Sequence, residues 1–407
     1  AMAASLLAAR ARNRTGSNIF AAATALAQRA GSVNLGQGFP SFETPEFARR
    51  CVAEALAEGH NQYARPGGHP VLTQALSKFY SPLYGRTLDP MTEITVCSGA
   101  QEGIYNLMAT FVDEGDQVLC IEPYFDAYKK AADLVGAHTT GVPLRFQAGK
   151  GNSAAAFKLD LDELESKITD KTKLLIINTP HNPTGKMFSS DELEGIAEVV
   201  RRHPRLLVLS DEVYEFMCFD GLPHERFSLL NDMWDRTITC FSAGKTFSCT
   251  GWRVGYMTGP GHLIEPIMQT QSIVSFCTPT PLQVGIARAF EAGTKLGYFA
   301  KLADTLEAKR NALCEGLALA GLMPIVPQGG YFVMADTTRL PIEAQPQRDV
   351  KVNEWLTLER GVTGIPTSYF YSAENMHLAD NTLRFAYCKT DEEIEKAIAA
   401  LKSHASP

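Results

Sequence analysis

Lys245 lies in the run Ser242-Ala243-Gly244-Lys245-Thr246-Phe247, and Arg253 follows eight residues later in Gly251-Trp252-Arg253-Val254-Gly255. A lysine between a glycine and aromatic residues makes a poor solvated face. It is a good candidate for a desolvated amine, which sheds its proton more readily and serves as nucleophile or base. Asp211 and Tyr214, in Asp211-Glu212-Val213-Tyr214, put a carboxylate and a phenol three residues apart; taken alone, such an aspartate more often merely caps a helix. Asn182 stands in Pro180-His181-Asn182-Pro183-Thr184-Gly185, whose two prolines and glycine fix a loop and hold the amide outward. A plain turn has the same composition. Ser98-Gly99-Ala100-Gln101 is a small-residue turn opening a helix, where free backbone N–H groups suit a phosphate.

Gly244-Lys245-Thr246 also suggests the phosphate loop of a nucleotide hydrolase or kinase. That loop requires a glycine five residues before Gly244, where Thr239 stands inside a strand, and Gly251 soon interrupts any following helix. Metal hydrolysis fares no better. The nearest fragment to His-Glu-x-x-His is His224-Glu225, with Ser228 at the second ligand position, so no metal is expected. Gly36-x-Gly38 runs into Pro40 rather than a helix and is not a dinucleotide fingerprint.

The elements that must position these residues are legible as alternating runs. Short apolar, β-branched strands are expected at Glu93 to Cys97, Gln117 to Ile121, His138 to Val142, Lys173 to Asn178, Leu206 to Ser210, Thr237 to Phe241 and Val254 to Thr258, separated by helical stretches. This is the pattern of βαβ units and a mainly parallel sheet. In such sheets ligands bind beyond the carboxyl ends of the strands, which is where the residues above fall. After about residue 290 a long helical pattern, Leu296 to Leu319, leads to Gly329-Gly330-Tyr331-Phe332-Val333 and a smaller domain.

A chain of 407 residues is long for one core, which also favours a large domain plus a smaller one. Net charge is −7 with lysine and arginine scattered, so no broad basic face for nucleic acid or an anionic membrane is implied, and a small-molecule partner is favoured. The nine cysteines are widely spaced, with no Cys-x-x-Cys pair, which fits a reducing compartment rather than a disulfide framework. Runs such as Leu174 to Ile177 are far too short to span a membrane. The cytoplasm is expected. Met2 to Gln28, with Arg10, Arg12 and Arg14 and no acidic residue, also has some likeness to a mitochondrial transit segment.

Taken in order, Asn182-Pro183-Thr184-Gly185, Asp211-Glu212-Val213-Tyr214, the Lys245 run and the Arg253 run resemble the class I aminotransferases, pyridoxal-phosphate enzymes of fold-type I. Asn34-Leu35-Gly36-Gln37-Gly38-Phe39-Pro40, Asn61-Gln62-Tyr63, Glu122-Pro123-Tyr124-Phe125-Asp126, Pro327-Gln328-Gly329-Gly330-Tyr331-Phe332 and Ile365-Pro366 look like the kynurenine aminotransferase and cysteine-S-conjugate β-lyase branch. The likeness runs from about residue 15 to 400.

The resemblance implies an α/β fold: a large domain over 46–290 with a seven-stranded, mainly parallel sheet between helices, a smaller α+β domain over 291–407, and an N-terminal segment, 1–45, packed with the latter. It implies that Lys245 carries pyridoxal 5'-phosphate as a Schiff base and, once released, moves the substrate α-proton. By the same analogy Asp211 holds the pyridinium, Tyr214 and Asn182 donate to the phenolic oxygen, and Phe125 stacks on the ring. The phosphate falls to Gly99, Ala100, Gln101, Ser242, Arg253 and a Tyr63 from a second subunit, so a homodimer with a shared site is implied. Arg384, with Gly36 and Asn182, would take the substrate carboxylate. Phe20 stands where some relatives carry tryptophan. Together with Tyr124, Phe125 and a partner's Phe276 it implies an apolar, aromatic side-chain pocket without a second arginine, poorly suited to aspartate. The activity implied is ping-pong transamination from an aromatic or sulfur-containing L-amino acid, or a donor such as kynurenine or glutamine, to a 2-oxo acid. β-Elimination from cysteine S-conjugates at the same site is the alternative.

Overall fold

The computed structural model describes residues 19–402. Expectations resting on residues 1–18, Arg10, Arg12 and Arg14 among them, lie outside the described residues. Seven apolar runs form one sheet: β1 (Ile94–Cys97), β2 (Gln117–Glu122), β3 (His138–Pro143), β4 (Thr172–Asn178), β5 (Leu207–Asp211), β6 (Thr237–Ser242) and β7 (Gly255–Thr258). Their order is β1-β7-β6-β5-β4-β2-β3. Side chains alternate across the sheet. Leu175, Ile177 and Val208 face the helix Ser190–Arg202 through Leu193, Ile196 and Val200. Leu174, Ile176 and Leu209 face Ile104 and Leu107 of the helix Ala100–Phe111, and Ile264. Each such aliphatic burial is worth about 1.5–3 kcal/mol, so the central strands are buried on both faces and form a stiff platform.

The neighbours from β6 through β3 run parallel, whereas β7 is antiparallel to both β1 and β6. The cause is the connection. Between β6 and β7 there is one turn of α-helix, Ala243–Thr246, and one 3₁₀ turn, Thr250–Trp252, instead of a long crossover helix. The reversal matters for the site, because Gly255, the first residue of β7, pairs with Cys97 and Ser242, the last residues of β1 and β6. The start of one strand thus joins the carboxyl edge of the others.

A second, antiparallel sheet is built from β8 (Met323–Ile325), β9 (Phe332–Asp336), β10 (Ile365–Pro366) and β11 (Thr382–Ala386) in the order β8-β9-β11-β10. The long helical pattern expected from Leu296 begins two residues later, at Tyr298, because Gly297 turns the chain at φ +61° after the helix Thr280–Lys295. That preceding helix packs on Glu46–Ala57 and Pro70–Tyr84. The first described helix, Ile19–Ala30, lies against Arg348–Glu359. Among the described residues no helix is long and apolar enough to cross a membrane.

Candidate active site

The carboxyl edge of the large sheet opens into a cleft of about 250 Å³. Lys245 reaches it from the short helix after β6. Two residues on, Phe247 is buried, stacked on Tyr298 at 5.6 Å and edge-on to Phe290 at 5.1 Å. This aromatic anchor fixes the turn and leaves Lys245 facing the cleft. Its amine donates to the Gly38 carbonyl at 3.2 Å and to the Tyr331 hydroxyl. Burial pushes the amine down to about 8.

Asp211 ends β5 and is 4% exposed. Its carboxylate accepts from the Tyr128 hydroxyl at 2.5 Å and from the Val213 N–H at 3.3 Å. Burial raises it to about 6, although the Tyr128 hydrogen bond, the Val213 N–H and the Lys245 charge all oppose the shift. Tyr214 packs edge-on to Tyr331 at 5.0 Å, and burial raises its hydroxyl above the usual range. Asn178, at the end of β4, donates from its amide to the Asp211 carbonyl at 2.8 Å and accepts from the Asn182 N–H at 2.7 Å. It therefore ties the Asn182 loop to the Asp211 strand.

Arg384 comes from β11, is 1% exposed, and hydrogen-bonds neutral oxygens: Asn182 Oδ1 at 3.1 Å and the Gly36 carbonyl at 2.8 Å. Its Nε is buried without a partner among the described residues. The guanidinium lies 4.0 Å from the Phe332 ring, 4.8 Å from Phe370 and 5.5 Å from Phe20. Burial lowers it to about 10. A buried cation with neutral and aromatic neighbours suits an anion, and its fork has the geometry of a carboxylate. The glycine at 36 is required by packing. A Cβ there would meet the Gly364 carbonyl at 2.9 Å and Ile365 at 2.9 Å, so the close approach is to β10 rather than to a ligand.

At the far end of the cleft, Gly99 precedes the helix Ala100–Phe111 with φ +87° and no side-chain cap. Arg253 sits in the left-handed region at φ +53°. A Cβ on Gly99 would fall 2.2 Å from the Arg253 guanidinium, and one on Gly255 would fall 2.4 Å from the Ala100 nitrogen. The two glycines thus leave a cradle of helix N–H groups and a guanidinium, with Ser242 in the same wall and Gln101 beside it. The set suits a phosphate.

Not every expected residue falls in the cleft. Phe20 and Phe125 line it, but Tyr124 is buried in the core with Ile104 and Ala131. Tyr63 and Phe276 are 84% and 45% exposed, with their rings 5.1 Å apart outside the cleft. The structure adds Tyr128, Asn178, Tyr331, Phe39 and Phe332, to none of which the sequence reading gave a place in the site. Tyr331 and Phe332 lie in the Gly-Gly-Tyr-Phe motif, which was a signal without a role; Tyr128 has no local signature at all.

A lysine at the carboxyl edge of this sheet, with its one reversed strand, is the arrangement of the fold-type I aminotransferases. The chain belongs to the aminotransferase class I and II family, whose model matches residues 30–401, and it is a transaminase of the kynurenine aminotransferase branch. It is 44% identical over 393 residues to kynurenine--oxoglutarate transaminase of Dictyostelium discoideum, covering 91% of this chain and 90% of that one. Among solved structures it is similar to Bna3p from Saccharomyces cerevisiae, with TM-score 0.91, 33% identity and 96% of each chain covered. It is also similar to YbdL from Escherichia coli, identified as having a methionine aminotransferase function, with TM-score 0.90, 29% identity and 98% and 99% coverage. Pyridoxal phosphate is a general requirement of the family.

Proposed function

We propose that this protein transfers the amino group of an aromatic or sulfur-containing L-amino acid, or of a related donor such as kynurenine or glutamine, to a 2-oxo acid in a two-step, ping-pong cycle on pyridoxal 5'-phosphate. The observation that carries the reading is the pairing of a half-buried, easily deprotonated Lys245 with a buried Arg384 whose partners are neutral. When bound, pyridoxal phosphate supplies a carbonyl carbon that accepts an amine and a ring that withdraws electrons from the substrate Cα.

This chain's residues supply the rest. Lys245 would hold the cofactor and, as a free amine, would take the proton from the substrate Cα. Asp211, held by Tyr128, keeps a proton at the ring nitrogen through a charge-assisted hydrogen bond. Tyr214 and the Asn182 amide N–H donate to the ring oxygen; the Asn182 Oδ1 is already engaged by Arg384. Phe125 stacks. The Gly99-Ala100-Gln101 backbone, Ser242 and Arg253 hold the phosphate, joined by Tyr63 of a second copy in a homodimer. The exposure of the Tyr63 and Phe276 rings supports their being shared across that interface. Phe20, Phe39 and Phe332 give the substrate side an apolar wall beside Arg384, and the cleft's other arginine, Arg253, lies at the far end. Among the described residues a dicarboxylate such as aspartate therefore has no second arginine for its side chain, whereas an aromatic or thioether side chain has an apolar wall.

The test is a panel of kynurenine, glutamine, methionine, phenylalanine and aspartate with several 2-oxo acids. Lys245→Ala should lose transamination and the borohydride-fixable visible chromophore, and Arg384→Ala should chiefly raise KM for the donor. Aspartate emerging as the preferred donor would sink the substrate class. Full activity in Lys245→Ala would sink the mechanism.

A further inference from the structure

Tyr331 touches the reactive amine without belonging to the residues assigned to cofactor or substrate. Its hydroxyl donates to the Gly38 carbonyl at 2.6 Å and meets Lys245 Nζ on the other side. A tyrosine has one hydroxyl proton, and here it is committed to Gly38, so the oxygen faces Lys245 as an acceptor. The same Gly38 carbonyl accepts from Lys245 at 3.2 Å. The ring has no freedom to leave. It is fully buried, edge-on to Tyr214 at 5.0 Å and to Phe332 at 4.7 Å. A neutral amine has two N–H bonds and one lone pair, and two acceptors occupy both N–H bonds.

We propose that Tyr331 is a positioning residue for proton transfer: with the Gly38 carbonyl it holds both N–H bonds of neutral Lys245, so that the lone pair is presented to the substrate Cα–H. In that step the Cα–H bond breaks, the proton joins the Nζ lone pair, and the electron pair stays with the substrate carbon. The inference rests on Lys245 being the base. It adds that the direction of the base is set by a hydroxyl from the turn before β9, 86 residues away in sequence.

The test is Tyr331→Phe, which keeps the ring and its packing and removes the acceptor. Expected are a fall in kcat on the order of 10²-fold, little change in donor KM, and a larger deuterium isotope effect with Cα-deuterated donor as proton transfer becomes rate-limiting. A second readout needs neither cofactor nor turnover. An oxygen that accepts from an ammonium favours its charged form, so without it the pH midpoint for acylation of Lys245 by acetic anhydride in the cofactor-free protein should move down. Of the groups that face the amine from other elements, Asp211, Arg253, Arg384 and Cys388 are untouched by the variant, whereas Tyr214, whose ring lies 5.8 Å from the amine, loses a hydroxyl neighbour with it. Site-specific 3-fluorotyrosine at position 331, a weaker acceptor of nearly the same shape, should shift that midpoint the same way by less. An unmoved or raised midpoint, or an unchanged kcat and isotope effect, overturns the role of Tyr331. If Lys245→Ala is inactive while Tyr331→Phe is normal, only this inference fails. If Lys245→Ala is active, the base itself was misassigned.

Discussion

At the scale of single residues, the chemistry depends on how far burial moves Lys245. An ordinary lysine amine, near 10.5, is almost wholly charged at neutral pH; at about 8 a useful fraction is neutral. The folded protein favours the neutral amine, so holding it charged costs stability below about 8, and that cost fades as pH rises from there toward 10.5. Asp211 runs the other way: raised from 3.8 to about 6, its ionisation weakens the cofactor-free fold as pH climbs through that interval. The kinetic consequence follows from the amine. Capture of pyridoxal phosphate by the cofactor-free protein should accelerate with pH and level off above about 8, followed by absorbance from pH 6 to 10. A rate still climbing steeply at pH 10 would mean an unperturbed lysine. Lys245 was legible because a glycine turn running into aromatic residues is an unusual place for charge, and Asp211 because it stands in the series of motifs shared with the class I aminotransferases rather than from its strand-end position. Their partners were not: Tyr128 meets Asp211 across 83 residues and Tyr331 meets Lys245 across 86, and only tertiary packing brings such pairs together.

At the scale of elements, the segment after β5 has two faces. Asp211 and Tyr214 turn toward the cleft, whereas Glu212 and Glu215 turn away and are buried on Arg226, whose guanidinium lies 2.6 Å from one carboxylate and 2.5 Å from the other. His224 and Ser210 also bond Glu212, and Tyr80 donates to Glu215. This back side holds the front side in register. Arg226→Leu would strand two buried carboxylates and should cost about 3–5 kcal/mol, read as a lowered unfolding midpoint in denaturant. Arg226→Lys, with one point charge for two carboxylates, should recover only part of it. The seven strands were legible to within one residue at each end because their apolar runs are short and sharply bounded. The reversed direction of β7 was not, since it follows from the short β6–β7 connection rather than from any property of Gly255–Thr258. The helix Thr280–Lys295 was also missed, its glycines and Pro281 obscuring the period.

At the scale of the whole molecule, the two sheets are joined beside the site. Glu122 ends β2 with a fully buried carboxylate that accepts from the Ser372 N–H and the Asn375 amide. Two residues on, the Tyr124 N–H donates to the Phe370 carbonyl at 2.8 Å, and the Phe370 ring lies beside Arg384. The large sheet therefore helps to place the aromatic neighbour of Arg384, the carboxylate receptor we propose. Glu122→Ala would leave two buried donors unpaired at about 1–3 kcal/mol each. It should lower the unfolding midpoint and raise donor KM more than it lowers kcat, a split that steady-state kinetics on the purified variant would show.

The Gly99 and Arg253 cradle constrains how this sequence can drift. At φ +87° any L side chain at 99 is strained whatever stands at 253, and its Cβ would in addition have to push aside the guanidinium at the end of the flexible Arg253 side chain. Giving up Arg253 would therefore not open position 99 to alanine, because the backbone conformation alone keeps glycine there. Lineages stay on glycine at 99 with or without Arg253, so drift in this cradle falls on the cation rather than on the turn.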